Sequence, residues 1–213
     1  MNYESLIDQL AEDLAPVRPR RFWVDVAIMA AIGATELFLI FAIGFANFDM
    51  QRIRDQPTVG WRLVSLATIS AISGFFALRS FDPTYALKGS VRWIVAIVAV
   101  CIAYGVFLGS MPGGWSAIEQ RLEWANGIEC ASHILLLSIP PLIALALLGR
   151  RGAPTDMRRT RFLVGLSAAA WGAFAFVFAC PFNDPLFIIT WYGLSCTLVV
   201  LLARHLLPRI ARW

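Results

Sequence analysis

Charged residues are scarce in this chain: only 15% of its 213 residues are Asp, Glu, Lys or Arg. A soluble domain carries roughly a quarter of its residues as charged ones. This shortage, together with 59% hydrophobic residues and a mean hydropathy of +0.68, excludes an ordinary water-soluble domain. The formal net charge of +4 therefore does not indicate nucleic-acid binding. Excess arginine in a membrane protein instead marks the cytoplasmic side.

Recognisable catalytic motifs are also missing. The sequence contains no Gly-rich phosphate loop, no His-Glu-x-x-His, no nucleophile elbow and no Cys-x-x-Cys. Residues 1–16 are acidic and polar, whereas a cleavable signal peptide begins with a basic segment, so we expect none. We predict a protein that is not an enzyme, takes no small-molecule substrate and binds no nucleic acid.

Long apolar blocks dominate the sequence. A helix of about 20 apolar residues crosses a bilayer, and six blocks approach that length: residues 22–45, 59–78, 93–108, 127–148, 162–179 and 186–207. We predict an all-α polytopic membrane protein with six transmembrane helices joined by short loops, in contact with membrane lipid. Its parts would be a cytoplasmic amphipathic tail (1–21), the six-helix transmembrane domain (22–207) and a cytoplasmic C-terminal end (208–213).

The positive charges are distributed unevenly between the two sets of loops. Fourteen of the 18 Lys and Arg residues lie in 18–21, 79–92, 149–161 and 204–212, which alternate spans place on one side. Lys and Arg accumulate on the cytoplasmic side of membrane proteins. Both termini are therefore predicted to be cytoplasmic, and segments 46–58, 109–126 and 180–185 to face outwards.

Two of the four cysteines, Cys130 and Cys180, lie at the outer edges of apolar blocks. Consecutive antiparallel spans would bring their outer ends close together. The two thiols can then form a disulfide, which an oxidising compartment favours, or bind a soft metal ion. A structural disulfide and two unpaired small hydrophobic residues remain alternatives. Cys101 and Cys196 lie inside apolar blocks and are predicted to pack.

Other polar side chains near the edge cysteines extend this hypothesis. The spacing is Cys-x-x-His from Cys130 and Cys-Pro-x-x-Asp from Cys180, which is not a zinc-finger pattern. A metal site at the thiols, Cys130 and Cys180, would be completed by Glu129, His133 and Asp184. No constitutive cofactor is expected, only a heavy-metal ion bound transiently.

The N-terminal segment has helical periodicity. Apolar residues recur as one stripe, with acidic residues between them; the residues proposed to bind a partner are Leu6, Ile7, Asp8, Leu10, Asp13 and Leu14. Membrane-surface helices favour basic faces, so a basic protein groove is the better partner for an acidic one. A disordered, solvated tail is the alternative.

One carboxylate, Glu36, falls well inside the first apolar block. An intramembrane carboxylate is a functional candidate, and its alternative role is a bundle-facing carboxyl bonded to Ser or Thr on a neighbouring helix. The pair Pro140-Pro141 is predicted to kink the fourth span, because proline removes a helix donor and clashes with the preceding turn.

These motifs together resemble the NrsF family of membrane anti-sigma factors. The resemblance rests on the tail pattern Leu6-Ile7-x-x-Leu10-x-x-Asp13-Leu14, on Cys130, and on Cys180-Pro181-x-x-Asp184 followed by Trp191. It implies a multi-pass protein of the bacterial inner membrane that holds an extracytoplasmic-function (ECF) sigma factor and releases it under metal or oxidative stress. Cys130 and Cys180 would then be the sensor thiols, and the tail would be the sigma contact.

Two other classes of function compete with this one. A membrane thiol oxidoreductase linked to quinone would require a second redox pair, which the sequence does not present. A small proton-coupled transporter using Glu36 would require more intramembrane charges and broken helices than the six blocks show.

Overall fold

The regular structure is helical throughout the part of the chain that the computed structural model describes, residues 21–45, 57–85, 89–109 and 121–211. This confirms the all-α prediction for these residues. In chain order the helices are α1 (Phe22–Ala42), α2 (Pro57–Ser80), α3 (Ser90–Gly109), α4 (Trp124–Leu137), α5 (Ile139–Gly149), α6 (Met157–Phe176) and α7 (Pro185–Ala211).

The predicted fourth span is divided into α4 and α5 at Ser138. The break immediately precedes Ile139 and the pair Pro140-Pro141. Prolines are tolerated in the first turn of a helix but not in its interior, so the chain ends one helix and begins another. Ser138 satisfies the carbonyl of Ile134 twice, through its backbone N–H at 3.0 Å and its hydroxyl at 2.7 Å.

Five helical stretches are long and apolar enough to cross a membrane: α1, α2, α3, α4 together with α5, and α7. The remaining predicted span, α6, is not among them. Its first turns carry Arg158, Arg159 and Arg161, and its regular helix ends at Phe176 although the apolar run continues to Ala179. A sixth crossing therefore stays a prediction.

Helix α6 nevertheless occupies the centre of the bundle. It packs against α2 on one side and α7 on another, and α4 and α5 also contact it. Small residues line its buried surface, among them Gly165, Ala168, Gly172 and Ala173. Small side chains allow helix backbones to approach closely. The helix with the weakest apolar signal is therefore the one surrounded by protein.

Helices α1 and α3 lie at the periphery. Large apolar side chains on them are exposed, for example Trp23 (77%), Trp93 (71%) and Phe107 (73%). Exposed apolar surface on this scale is unusual for a soluble monomer, and hydrocarbon would cover it in a bilayer. Both helices therefore present lipid-type surfaces.

The direction of the helices separates two ends of the bundle. At one end α2, α4 and α7 begin and α6 finishes, and a buried cluster there contains Cys130, Phe176, Cys180, Phe187 and Trp191. At the other end Phe81 and the loop after α5 meet, where the amide of Ala153 donates to the carbonyl of Phe81 at 3.2 Å. The first of these ends carries the candidate site.

Candidate functional site

The two edge cysteines lie side by side. Cys130 is in the second turn of α4 and Cys180 follows the end of α6, and their Sγ atoms are 4.0 Å apart. Both are free thiols and almost completely buried, at 4% and 7% exposed. A disulfide bond is about 2.05 Å long, so the sulfurs need to approach by only about 2 Å to form one.

A buried arginine that the sequence analysis counted only as a loop charge holds the Cys180 segment. Arg62, on α2, is 2% exposed and donates to the carbonyl oxygens of Phe182 (2.6 Å), Val177 (3.2 Å) and Cys180 (3.5 Å). The last carbonyls of a helix lack intrahelical partners, and Arg62 supplies donors for them. The signal for it was available, since an arginine within an apolar block is a functional candidate.

The electrostatics of the thiol pair are asymmetric. A hydrogen bond from the Cys130 thiol, aided by the positive charge of Arg62, outweighs burial and lowers the pKa of Cys180 to about 6. A cysteine thiol ordinarily titrates near 8.5. Cys180 is therefore the thiolate of the pair at neutral pH, and thiolates are the reactive and metal-binding form of cysteine.

The loop between α6 and α7 is anchored by Asp184. Its carboxylate accepts two hydrogen bonds from Arg121, at 2.6 and 2.7 Å, and one from the backbone amide of Leu186 at 2.8 Å. The last bond caps the start of α7, and Pro185 suits the first helical position. Burial raises the pKa of Asp184, but the hydrogen bonds from Arg121 and Leu186 prevail and lower it. Asp184 is thus engaged in positioning the loop.

Trp191 closes the site from the α7 side. Its indole N–H donates to the carbonyl of Leu122 at 2.8 Å, and its ring lies directly over Gly127. A Cβ atom at Gly127 would come 1.9 Å from the indole, so only glycine fits there. Arg121, Gly127 and Trp191 were not predicted as site residues, and their role depends on contacts between distant segments.

The predicted additional ligands are placed apart from the thiols. Glu129 is exposed, and the ring of His133 stacks on Phe176 at 5.4 Å while its Nδ1 lies 2.9 Å from the carbonyl of Glu129. Within the described ranges, no group of three or more His, Cys, Asp or Glu side chains is arranged to hold a metal ion. The structure thus brings together two of the five predicted ligands, Cys130 and Cys180.

Glu36 is buried at the α1–α6 contact. One of its carboxylate oxygens accepts a hydrogen bond from the indole of Trp171 at 2.9 Å. Its partner is therefore an indole rather than the Ser or Thr hydroxyl expected from the sequence. The Trp171 ring also lies over Gly33, one turn earlier in α1, so this contact locks α1 to the bundle.

The tail residues predicted to contact a partner (Leu6, Ile7, Asp8, Leu10, Asp13 and Leu14) lie outside the described residues. Cys101 and Cys196 are half-buried on α3 and α7. Their predicted packing role is compatible with these positions.

The fold and site together define a helical protein of membrane type with a buried, asymmetric thiol pair at one end of its bundle. The sequence model of the family described as NrsF, negative regulator of sigma F, matches residues 10–213. The chain belongs to this family, and its role is negative regulation of a sigma factor, which is its expected partner. No curated protein and no solved structure matches it.

Proposed function

We propose that this protein is an anti-sigma factor of the bacterial inner membrane that holds an ECF sigma factor at its cytoplasmic face and releases it when the outer thiol pair reacts. The observation that supports this most directly is the 4.0 Å separation of the Cys130 and Cys180 sulfurs in a member of a sigma-regulator family. Six crossings with both termini cytoplasmic place the thiols outside, following the asymmetry of the arginines.

The tail holds the sigma factor in the resting state. Its apolar stripe, which includes Leu6, Leu10 and Leu14, fills a groove of the partner, and the carboxylates of Asp8 and Asp13 face basic residues of the same partner. A short helix is marginal alone in water, so the tail gains stable helical structure on binding.

Oxidation begins at the Cys180 thiolate. It attacks one oxygen of a hydroperoxide to give a sulfenic acid, and the other oxygen leaves as water or an alcohol after taking up a proton. The Cys130 thiol then displaces the sulfenic hydroxyl, forming the disulfide and releasing water. Two thiol groups together lose two electrons and two protons, and the peroxide gains them.

A soft metal ion is the second stimulus. Thiolates prefer such ions, and two sulfurs that each lie about 2.3 Å from one ion are at most about 4.6 Å apart. The observed 4.0 Å separation falls within that limit. Binding displaces the remaining thiol proton, so metal uptake is favoured as the pH rises.

Arg62 transmits the change to α2. Oxidation or metal binding removes the free thiolate charge, and no described carboxylate bonds to Arg62, whose printed acceptors are backbone carbonyls. Leaving a buried charge without its partner costs about 3–5 kcal/mol. Inverting a two-state population from 1:99 to 99:1 requires about 5.5 kcal/mol. The lost compensation is therefore large enough to drive much of the transition.

The test is co-purification from native membranes. Full-length protein should retain a soluble sigma factor, identified by mass spectrometry, and deletion of residues 2–16 should lose it. Treatment with peroxide or a soft metal should release the sigma factor from the wild type but not from Cys130→Ser or Cys180→Ser. The matched control, Cys101→Ser with Cys196→Ser, should respond like the wild type. Release that persists in Cys130→Ser and Cys180→Ser would show that the thiols are not the sensor.

A further inference from the structure

A groove with a basic rim lies at the opposite end of the bundle from the thiols. It has a volume of about 260 Å³ and is bounded by the start of α3, the start of α6 and the last turns of α7. Three arginines surround its mouth: Arg158 and Arg159 on α6, and Arg204 on α7. The regulatory function described above does not use this groove.

The groove is layered from polar to apolar. Helices α6 and α7 run in opposite directions, so residues after Arg158 and residues before Arg204 both lead away from the basic rim. One turn deeper the walls are Phe162 on α6 and Val200 and Leu201 on α7. Residues three and four positions apart share a helix face, so each helix presents an arginine above apolar side chains.

Part of the basic charge at the rim is uncompensated by the described residues. Arg159 forms an ion pair with Asp156 at 3.0 Å, and the same carboxylate accepts a hydrogen bond from the Arg159 amide at the start of α6. Arg158 and Arg204, by contrast, have no hydrogen bond or ion pair with any residue within the described ranges. Both are exposed and free to receive an anion.

We propose that this groove binds one anionic phospholipid, whose phosphate is held between Arg158 and Arg204 and whose acyl chains lie along Phe162, Val200 and Leu201. Guanidinium groups bind phosphate through two parallel hydrogen bonds. Basic pockets between membrane helices on the cytoplasmic side are suited to lipid headgroups. The asymmetry of the arginines assigns this end to the cytoplasmic leaflet.

The layering favours a lipid over a soluble protein partner. The apolar walls belong to helices α3 and α7, both long and apolar enough to cross a membrane. An occupant therefore needs a charged head at the interface and apolar substance one turn deeper. A phospholipid has that form, whereas a soluble protein would have to enter the hydrocarbon.

The experiment measures lipid binding to the purified full-length protein in detergent by native mass spectrometry. The probes are phosphatidylglycerol, phosphatidylcholine and inorganic phosphate. Arg158→Gln with Arg204→Gln is the test variant. Arg150→Gln with Arg151→Gln is the matched control, because it removes the same charge from the same end without touching the groove. Gel filtration establishes that each variant remains monodisperse.

One phosphatidylglycerol should be retained by the wild type and by the control, in preference to phosphatidylcholine. The test variant should bind it about 20-fold more weakly. Equal weakening in both variants would indicate a diffuse charge effect, and full competition by inorganic phosphate would indicate a small-anion site; either result overturns the proposal. So would unchanged lipid binding in a test variant that has lost the sigma factor, because the groove would then belong to a protein interface.

Discussion

Cys130 and Cys180 have the same chemistry but different surroundings. Cys130 is part of a continuous helix, while Cys180 follows the end of α6 among carbonyls to which Arg62 donates. The hydrogen bond from Cys130 and the charge of Arg62 both favour the anionic form of Cys180. The pair therefore has a defined nucleophile and a defined resolving thiol.

This asymmetry predicts how alkylation depends on pH. Because the pKa of Cys180 is lowered to about 6, its thiolate is lost as the pH falls through 6 and is fully formed at neutral pH. The rate of reaction with iodoacetamide should accordingly rise with a midpoint near pH 6, followed by mass spectrometry of the peptide that contains Cys180. An unperturbed thiol would show a midpoint near 8.5.

Replacement of Cys130 provides the control for that measurement. Cys130→Ala removes the hydrogen-bond donor and should move the midpoint towards higher pH, whereas Cys130→Ser keeps a hydroxyl donor and should move it less. A midpoint near 8.5 in the wild-type protein would contradict the assignment of Cys180 as the thiolate.

Arg62 is predicted to be essential for stability as well as for charge. Arg62→Gln leaves carbonyls at the end of α6 without donors in a buried environment, which should destabilise the protein by about 2–4 kcal/mol. Unfolding by SDS, monitored by tryptophan fluorescence, measures the change. Arg204→Gln, an exposed arginine on α7, should change stability by less than about 0.5 kcal/mol. Similar losses in the two variants would argue against the role of Arg62.

At the scale of elements, the break between α4 and α5 is held by the close approach of α6. A Cβ atom at Gly172 would lie 2.3 Å from the Ser138 hydroxyl and 2.8 Å from the carbonyl of Ile134 and the amide of Ser138. The latter two are backbone atoms and cannot rotate away. Glycine at 172 therefore lets α6 pack directly against the break.

Two glycine substitutions should consequently have opposite effects. Gly172→Ala should destabilise the protein by about 1–3 kcal/mol, because α6 and the α4–α5 break must separate. Gly193→Ala on α7 meets nothing within 4 Å and should be neutral or stabilising by up to about 1 kcal/mol, since alanine favours helices. SDS unfolding of both variants distinguishes these outcomes; a neutral Gly172→Ala would mean that α6 does not pack closely at Ser138.

At the scale of the whole molecule, the orientation in the membrane decides whether a thiol signal crosses it. Glu123 and Thr155 are exposed residues at opposite ends of the bundle, near the thiols and near the arginine-rich loop, respectively. In a variant without the four native cysteines, Glu123→Cys should react with a charged, membrane-impermeant thiol reagent in intact spheroplasts. Thr155→Cys should react only after lysis. Labelling of Thr155→Cys before lysis would reverse the topology.

The sequence by itself determined the helical class, the six apolar blocks and the two cysteines that the fold brings together. Length and hydropathy specify a membrane helix because hydrocarbon requires every backbone polar group to be satisfied within it. The break at Ser138 was equally local, since Pro140 and Pro141 cannot continue a helix. Glu36 was recognised for the same reason, as a carboxylate among apolar residues.

Only the tertiary structure decided which polar groups meet. Arg62 contacts a loop more than 110 residues away in sequence, Asp184 pairs with Arg121, and Glu36 bonds to Trp171 rather than to a hydroxyl. Such partners depend on helix rotation and on the spacing that small residues of α6 allow, neither of which is encoded in local periodicity. The central position of α6 had the same origin, because a helix surrounded by protein needs small side chains more than it needs high hydropathy.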